Sequence, residues 1–147
     1  QIMFETQSFI MVSRLIDGRF PDYEAIVPKE FETRILIDAQ EFMAAVKLSA
    51  VFGAKVSEVK VKVMENKKSI QIFSSEQGLG ENASIIAARV EGGVREISFN
   101  WRYLLDGLKA VKGKEIWIGL NDESRPALLK APQDASYFYV VMPILKA

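Results

Sequence analysis

Cysteine and histidine are both missing from this sequence of 147 residues. Without them the chain can form no disulfide, and it lacks both the thiol and the imidazole base on which most nucleophilic triads depend. Of the usual zinc ligands, only carboxylates remain. The sequence therefore favours binding over catalysis and predicts no metal or other cofactor. The absence of cysteine also suits a reducing, cytoplasmic location.

The chain also carries no net charge, because 19 Lys and Arg residues balance 19 Asp and Glu residues. Tight nucleic-acid binders usually carry a basic surplus, because neutralising phosphates supplies much of their affinity. If DNA is a partner, we expect this chain to hold it by encirclement and not by a tight grip. No apolar run reaches about 18 residues, which excludes a membrane-spanning helix.

What the sequence does contain is enough apolar residues, 49% of the total, to form a buried core. The length fits one domain with a piece of a neighbouring one. Because the chain begins with Gln1, we expect it to be a fragment of a longer protein.

Capping residues and hydrophobic periodicity predict two helices among many strands. Asp38, with an acidic residue three positions later, predicts a helix to about Phe52 that Gly53 ends. Asn100 predicts a second helix over residues 101–111, ended by Gly113. Alternation and turn signals predict the strands. They are 2–6, 9–14, 31–38, 59–63, 69–74, 83–90, 95–99, 115–120, 127–130 and 137–142.

The order of these elements divides the chain into three parts. Residues 1–14 form a hairpin, and residues 15–30 read as a linker with a turn of helix after Pro21. From residue 31 the order strand-helix-strand-strand-strand occurs twice. This pattern predicts an α+β fold with antiparallel sheets and both helices on one face. Lys60 and Lys62, alternating with valines, should face water.

The last predicted strand is apolar on both faces, and Pro143, Ile144 and Leu145 follow it directly. One interpretation is a central strand covered on both sides. The other is an exposed apolar groove in which a partner peptide docks. Periodicity does not separate the two.

Three segments resemble motifs of one known family. Residues 15–23 read LIDGRFPDY, residues 99–106 read FNWRYLLD and residues 140–144 read VVMPI. In this order they resemble the interdomain motif, the F-N-x-x-Y-L-x-D segment and the terminal motif of the bacterial DNA polymerase III beta subunit, the sliding clamp. The resemblance covers essentially the whole chain.

The resemblance implies a DNA-clamp fold with three domains per subunit. Two such subunits would close a ring around duplex DNA as a homodimer. Residues 1–14 would be the closing strands of the second domain, residues 15–30 the interdomain linker and residues 31–147 the third domain. The implied function is that of a replication processivity factor, on which polymerase, clamp-loader and repair proteins dock through short peptides. Without its first domain, this chain should be a monomer.

The resemblance also implies a set of peptide-binding residues. These are Pro21, Ile26, Asn100, Tyr103, Ser124, Pro126, Val140, Met142, Pro143 and Ile144. Position 25 is Ala where some members carry Arg, and position 145 is Leu where a basic residue is common. Because the second-domain wall of the pocket is outside this chain, we expect micromolar affinity or weaker, about −8 kcal/mol at best.

Two further surfaces follow from the resemblance. Val51 and Phe52 match an apolar pair at the ring interface, although the pattern alone equally fits residues that close the core beneath the helix. The cations that would face DNA are Lys47, Arg102, Lys109 and Lys112. Because Asp106 shares the helix face with Arg102 and Lys109, a solvated, salt-bridged surface is the competing interpretation.

Two other functions remain open from the residues alone. The first is a stand-alone interaction domain unrelated to replication that uses the same apolar end. The second is a carboxylate-based hydrolase, which would need two acidic side chains facing each other across a cleft.

Overall fold

The computed structural model describes residues 1–53, 57–93 and 96–145. The helices are α1 (Ala39–Phe52) and α2 (Trp101–Ala110), with a short 3₁₀ helix at Tyr23–Ala25. The strands are β1 (Ile2–Glu5), β2 (Ile10–Ser13), β3 (Thr33–Asp38), β4 (Glu58–Val63), β5 (Ser69–Glu76), β6 (Gly80–Gly92), β7 (Glu96–Asn100), β8 (Glu115–Leu120), β9 (Ala127–Lys130) and β10 (Phe138–Val141). Arg95, predicted to begin the seventh strand, lies outside the described residues.

Strands β1 and β2 form a two-stranded antiparallel sheet in which Ile2 pairs with Ser13. Thr6 closes the turn, since its backbone N–H donates to the Phe9 carbonyl at 2.9 Å. The Phe9 backbone N–H in turn donates to the Thr6 hydroxyl at 3.2 Å. The predicted hairpin is confirmed, and its large apolar side chains are exposed.

The other strands form one eight-stranded antiparallel sheet in the order β10-β9-β8-β3-β6-β5-β4-β7. The predicted repeat is confirmed, because β3-α1-β4-β5-β6 is followed by β7-α2-β8-β9-β10. Each copy places its first strand beside strands of the other: β3 pairs with β8, and β7 pairs with β4. The two copies therefore share one sheet and one core.

Both helices pack against each other and against the sheet, in agreement with the prediction that they share one face of it. The Asp38 carboxylate accepts hydrogen bonds from the backbone N–H groups of Gln40 and Glu41, which starts α1. The buried face of α1 includes Phe42 and Val46. Alternate strand residues complete the core, so that Val59, Val61 and Val63 are buried while Lys60 and Lys62 lie on the outer side.

The predicted end of α1 at Phe52 and Gly53 is confirmed, whereas the predicted loop at 77–82 and the predicted end of α2 are wrong. The loop at 77–82 is shorter, because β5 and β6 stay paired as far as Glu76 and Gly80. Gly53 ends α1 at φ −118°, outside the left-handed region, and is needed because a Cβ there would lie 2.5 Å from the Glu58 carbonyl oxygen. Helix α2 stops at Ala110, before the turn that contains Gly113 at φ +127°.

The helices of the described chain are all too short or too polar to cross a membrane.

Candidate peptide-binding site

A cavity of about 490 Å³ opens where β10 ends beside the start of α2. The residues around it come from the start of α2, from β10 and from the tail that follows β10. They are Asn100, Tyr103, Tyr139, Val140, Val141, Met142, Pro143 and Ile144. The predicted site residues of the second helix and of the terminal motif are therefore brought together.

The terminal strand is apolar on both sides, but only one of these sides faces the core. Val141 is buried, whereas Phe138 and Met142 on the opposite side are exposed. Met142 keeps 52% of its surface exposed and Tyr103 keeps 55%. Large apolar side chains at the mouth of a cavity offer surface that a ligand can remove from water. The structure agrees with an open groove and not with a strand covered on both sides.

A backbone hydrogen bond joins the tail to the strand at the opposite edge of the sheet. The backbone N–H of Ile144 donates to the Ser98 carbonyl on β7 at 2.8 Å. The Ser98 hydroxyl donates to the Glu58 carboxylate at 2.6 Å. Pro143, which directly precedes Ile144, is buried, and both residues line the cavity.

Asn100 both caps α2 and lines the cavity. Its side-chain oxygen accepts a hydrogen bond from the Arg102 backbone N–H at 3.0 Å, which caps α2. The same side chain lines the cavity. Its predicted capping role is confirmed.

Tyr139 and Val141 also line the cavity and were missed by sequence reasoning. Tyr139 packs against the face of α2 at Gly107, where a Cβ would lie only 2.4 Å from its ring. The hydroxyl of the nearby Tyr137 donates to the Gly107 carbonyl at 3.0 Å. Glycine inside a helix costs roughly 0.5–1 kcal/mol relative to alanine. Gly107, an isolated glycine in a helical pattern, was therefore the sequence signal that another element packs closely against α2.

The phenols of Tyr137 and Tyr139 are partly shielded from water. Burial raises the pKa of Tyr139, and the negative charge of Asp106 and the neighbouring Tyr103 add to this effect. Burial and the proximity of Tyr139 likewise raise the pKa of Tyr137. Both side chains therefore stay neutral at ordinary pH. Tyr139 packs against Gly107, and Tyr137 donates a hydrogen bond to the carbonyl of that glycine.

The remaining predicted pocket residues are not among those that line the cavity. Pro21 and Ile26 lie exposed on either side of the 3₁₀ helix, which contains Ala25. Ser124 and Pro126 precede β9, and Leu145 is exposed beyond Ile144.

Ser124 instead shapes the turn between β8 and β9. Its backbone N–H donates to the Asp122 carboxylate at 2.9 Å, and its hydroxyl donates to the same oxygen. The Arg125 guanidinium donates to Asp122 at 2.7 Å and also pairs with Glu32. The hydrogen bonds from the Ser124 hydroxyl and from Arg125 hold the pKa of Asp122 well below its usual range.

The end of α1 presents a second apolar surface. Val51 is 62% exposed and so does not close the core, whereas Phe52 is half-buried beside Gly80. Next to this helix, residues 80–87 of β6 pair with β5, and β3 joins β6 only from Ala88 onward. Among the described strands, the first part of β6 therefore has one open edge, where Ile85 is exposed.

The four predicted DNA-facing cations are all exposed. On α2, Lys109 pairs with Asp106 at 3.0 Å, as the salt-bridged interpretation predicts. The Arg102 guanidinium lies 5.0 Å from the centre of the Trp101 ring. Within the described ranges, acidic side chains form no cluster of three or more that could hold a metal ion.

Comparison with known proteins decides the family. Residues 24–145 match the family described as the DNA polymerase III beta subunit, C-terminal domain. The chain belongs to this family. It is 30% identical over 146 residues to the beta sliding clamp of Bacillus subtilis (strain 168), covering 98% of this chain and 39% of that protein.

Solved sliding clamps share the fold. The Bartonella birtlesii DNA polymerase III subunit beta bound to griselimycin is 28% identical, with a TM-score of 0.89 over 98% of this chain and 38% of that one. The Bacillus subtilis sliding clamp is 28% identical, with a TM-score of 0.88 over 99% of this chain and 39% of that one. The DNA-clamp fold expected from the sequence motifs is confirmed. The chain spans about 39% of the length of the curated relatives that it matches.

Proposed function

We propose that this chain acts as the C-terminal part of a sliding clamp, a processivity factor that encircles duplex DNA during replication. Its cavity at the end of β10 would receive short peptides of polymerase, clamp-loader and repair proteins. The observation that carries the proposal is the cavity itself, in which an exposed Met142 and the polar groups of Asn100 and Tyr103 meet.

The chemistry of the cavity suits an extended peptide with large apolar side chains. Val140, Met142 and Ile144 supply apolar surface, and burying one ligand side chain fully against such surface contributes about 1.5–3 kcal/mol. The Asn100 amide and the Tyr103 hydroxyl can hydrogen-bond the peptide backbone. The described lining includes no Asp or Glu, which supports a binding role and not carboxylate-based hydrolysis.

The domain assignment is part of the same proposal. Residues 1–14 would complete the second clamp domain, residues 15–30 would be the linker and residues 31–147 the third domain. The separate sheet of β1 and β2, with its exposed apolar side chains, supports this division. In the longer protein those side chains would be covered by the rest of the second domain.

Ring closure would use the end of α1. An exposed Val51, a half-buried Phe52 and the open edge of β6 together provide apolar surface and unpaired backbone groups. In a homodimeric ring they would meet the first domain of the other subunit. We propose that this chain, without that domain, is a monomer.

DNA would run through the ring beside the helices, and it would be held mainly because the ring encircles it. The net charge of zero supports this, because a chain that encircles DNA does not need strong phosphate binding. Lys47, Arg102, Lys109 and Lys112 are exposed and would make a few sequence-independent phosphate contacts that moderate salt removes. This role also implies a cytoplasmic location.

The proposal is tested by titrating the 147-residue chain with a pentapeptide that ends in Leu-Phe, followed by ¹H–¹⁵N NMR. We expect a dissociation constant in the micromolar range or weaker, and at least about ten-fold weaker binding by Met142→Ala and by Tyr103→Ala. Met11→Ala is the matched control, because Met11 is equally exposed on the hairpin. Binding that is the same in all four proteins would contradict the assignment.

A second arm separates the clamp from a stand-alone interaction domain. The same titration with griselimycin, which is bound in the clamp structures from Bartonella birtlesii and Pseudomonas aeruginosa, should shift the signals of residues around the cavity. A chain that binds neither the peptide nor griselimycin there would point to an unrelated partner.

A further inference from the structure

Gly107 and Tyr139 make the tightest glycine contact next to the cavity. A Cβ on Gly107 would lie 2.4 Å from Tyr139 Cδ1 and 2.8 Å from Cε1 and Cγ. The contact is therefore with the face of the ring and not with the flexible end of a side chain. The Tyr137 hydroxyl bonds to the carbonyl of the same glycine, so β10 is held against α2 at this point.

The ring that rests on Gly107 is also a wall of the cavity. Tyr139 lines it together with Tyr103, which lies one helical turn before Gly107 on α2. The position of the Tyr139 ring relative to α2 therefore determines how much space remains beside Tyr103.

We propose that Gly107 is a positioning residue that sets the width of this cavity through Tyr139, and so sets the size of the apolar side chain that the cavity accepts. The inference rests on the proposed peptide-binding function. With glycine at this position the ring lies against the helix backbone, and the cavity is wide enough for an aromatic anchor residue on the ligand.

The surroundings explain why the ring, and not the backbone, would respond to a methyl group at this position. Helix α2 is anchored by Leu104, Leu105 and Leu108, all of which are buried. Strand β10 is fixed by its pairing with β9. Ordinary contact would require the ring to retreat by about 1 Å. Because Tyr139 lines the cavity, we expect this movement to narrow it.

The test compares two pentapeptides that differ only in their last residue, Phe or Val, on wild type and Gly107→Ala. We expect Gly107→Ala to weaken binding of the Phe peptide about ten-fold. Binding of the Val peptide should change no more than about two-fold, because the smaller side chain still fits. Gly93→Ala is the control, since a Cβ there meets nothing within 4 Å.

A second background tests whether Gly107 acts through Tyr139. In Tyr139→Leu the clashing ring is gone, so adding Gly107→Ala should leave the Phe-to-Val preference of that variant unchanged. If Gly107→Ala alone does not fold, as judged from its ¹H–¹⁵N spectrum, Tyr139→Leu is compared with wild type, and an unchanged Phe-to-Val preference there would overturn the positioning role.

Each outcome decides something. Equal weakening of both peptides by Gly107→Ala, or the same effect with and without the Tyr139 ring, would overturn the positioning role while leaving the proposed function intact. Failure of the wild-type chain to bind either peptide would overturn both.

Discussion

The indole N–H of Trp101, the first residue of α2, donates a hydrogen bond to the carbonyl oxygen of Gly53, just beyond the end of α1, at 3.2 Å. The backbone N–H of Trp101 donates to the Ser57 carbonyl at 3.0 Å. One residue thus joins the end of the first helix to the start of the second. Because Asn100 precedes it, this junction also supports one side of the cavity.

Trp101→Phe should lower the free energy of unfolding. Loss of the hydrogen bond should account for about 1 kcal/mol of this, because the Gly53 carbonyl loses its indole donor. Urea denaturation measures this change. Trp117→Phe makes the same change of ring at a residue that packs edge-on against Phe31 and so controls for the lost ring area. Equal losses in the two variants would show that the hydrogen bond contributes little.

Asn100→Ala should lose both stability and peptide affinity, because the side chain caps α2 and lines the cavity. Asp38→Ala removes the matching cap of α1 and should cost a similar amount, about 1 kcal/mol, with no effect on peptide binding. Asn100→Ser should restore most of the stability but not the affinity. Unfolding curves and peptide titrations on the three variants check this, and full affinity in Asn100→Ala would limit Asn100 to a capping role.

Stability should fall in acid partly because of Asp122. Hydrogen bonds from Ser124 and Arg125 keep its folded pKa below the usual value of 3.8. A lowered folded pKa stabilises the fold above the unfolded pKa, and this contribution is lost as the pH falls below about 4 toward the folded value. Asp122→Asn should therefore lose less stability than wild type on acidification.

Chemical denaturation at a series of pH values below 5 measures this difference. Glu123→Gln is the control for removal of one negative charge from the same turn. A pH dependence in Asp122→Asn as steep as that of the wild type would contradict the role of this hydrogen-bonded turn.

Val51→Arg should change stability by no more than about 0.5 kcal/mol, because the side chain is mostly exposed. Light scattering should give a monomer for both the wild-type chain and the variant. In a longer protein that contains the first clamp domain, the same substitution should weaken the dimer. A dimeric mass for the 147-residue chain would contradict the proposed need for that domain.

Much of the local structure could be predicted because its causes are local. Asp38 and Asn100 bond to backbone groups two or three residues away, so their capping of α1 and α2 is visible in the sequence. The bounds of β8 and β9 also match the prediction, because apolar residues and nearby turns mark both ends. The long β6 was predicted too short, because its first residues are strand only through pairing with β5.

The site was predicted less completely than the elements. Motif resemblance identified Asn100, Tyr103 and the terminal residues that line the cavity. It did not indicate Tyr139, whose place depends on the packing of a distant strand against Gly107. Ser124 was assigned to the pocket by the resemblance, and the structure shows its hydroxyl bonded to Asp122 in a turn.

The sequence by itself determined the helices, the alternating strands, the repeat of the unit and the family, because caps, periodicity and motifs are properties of neighbouring residues. Only the tertiary structure decided that β3 pairs with β8 and β7 with β4, each across the two copies, and that the tail reaches Ser98. Those contacts join residues far apart in the chain, and their geometry follows from how the whole sheet packs around its helices.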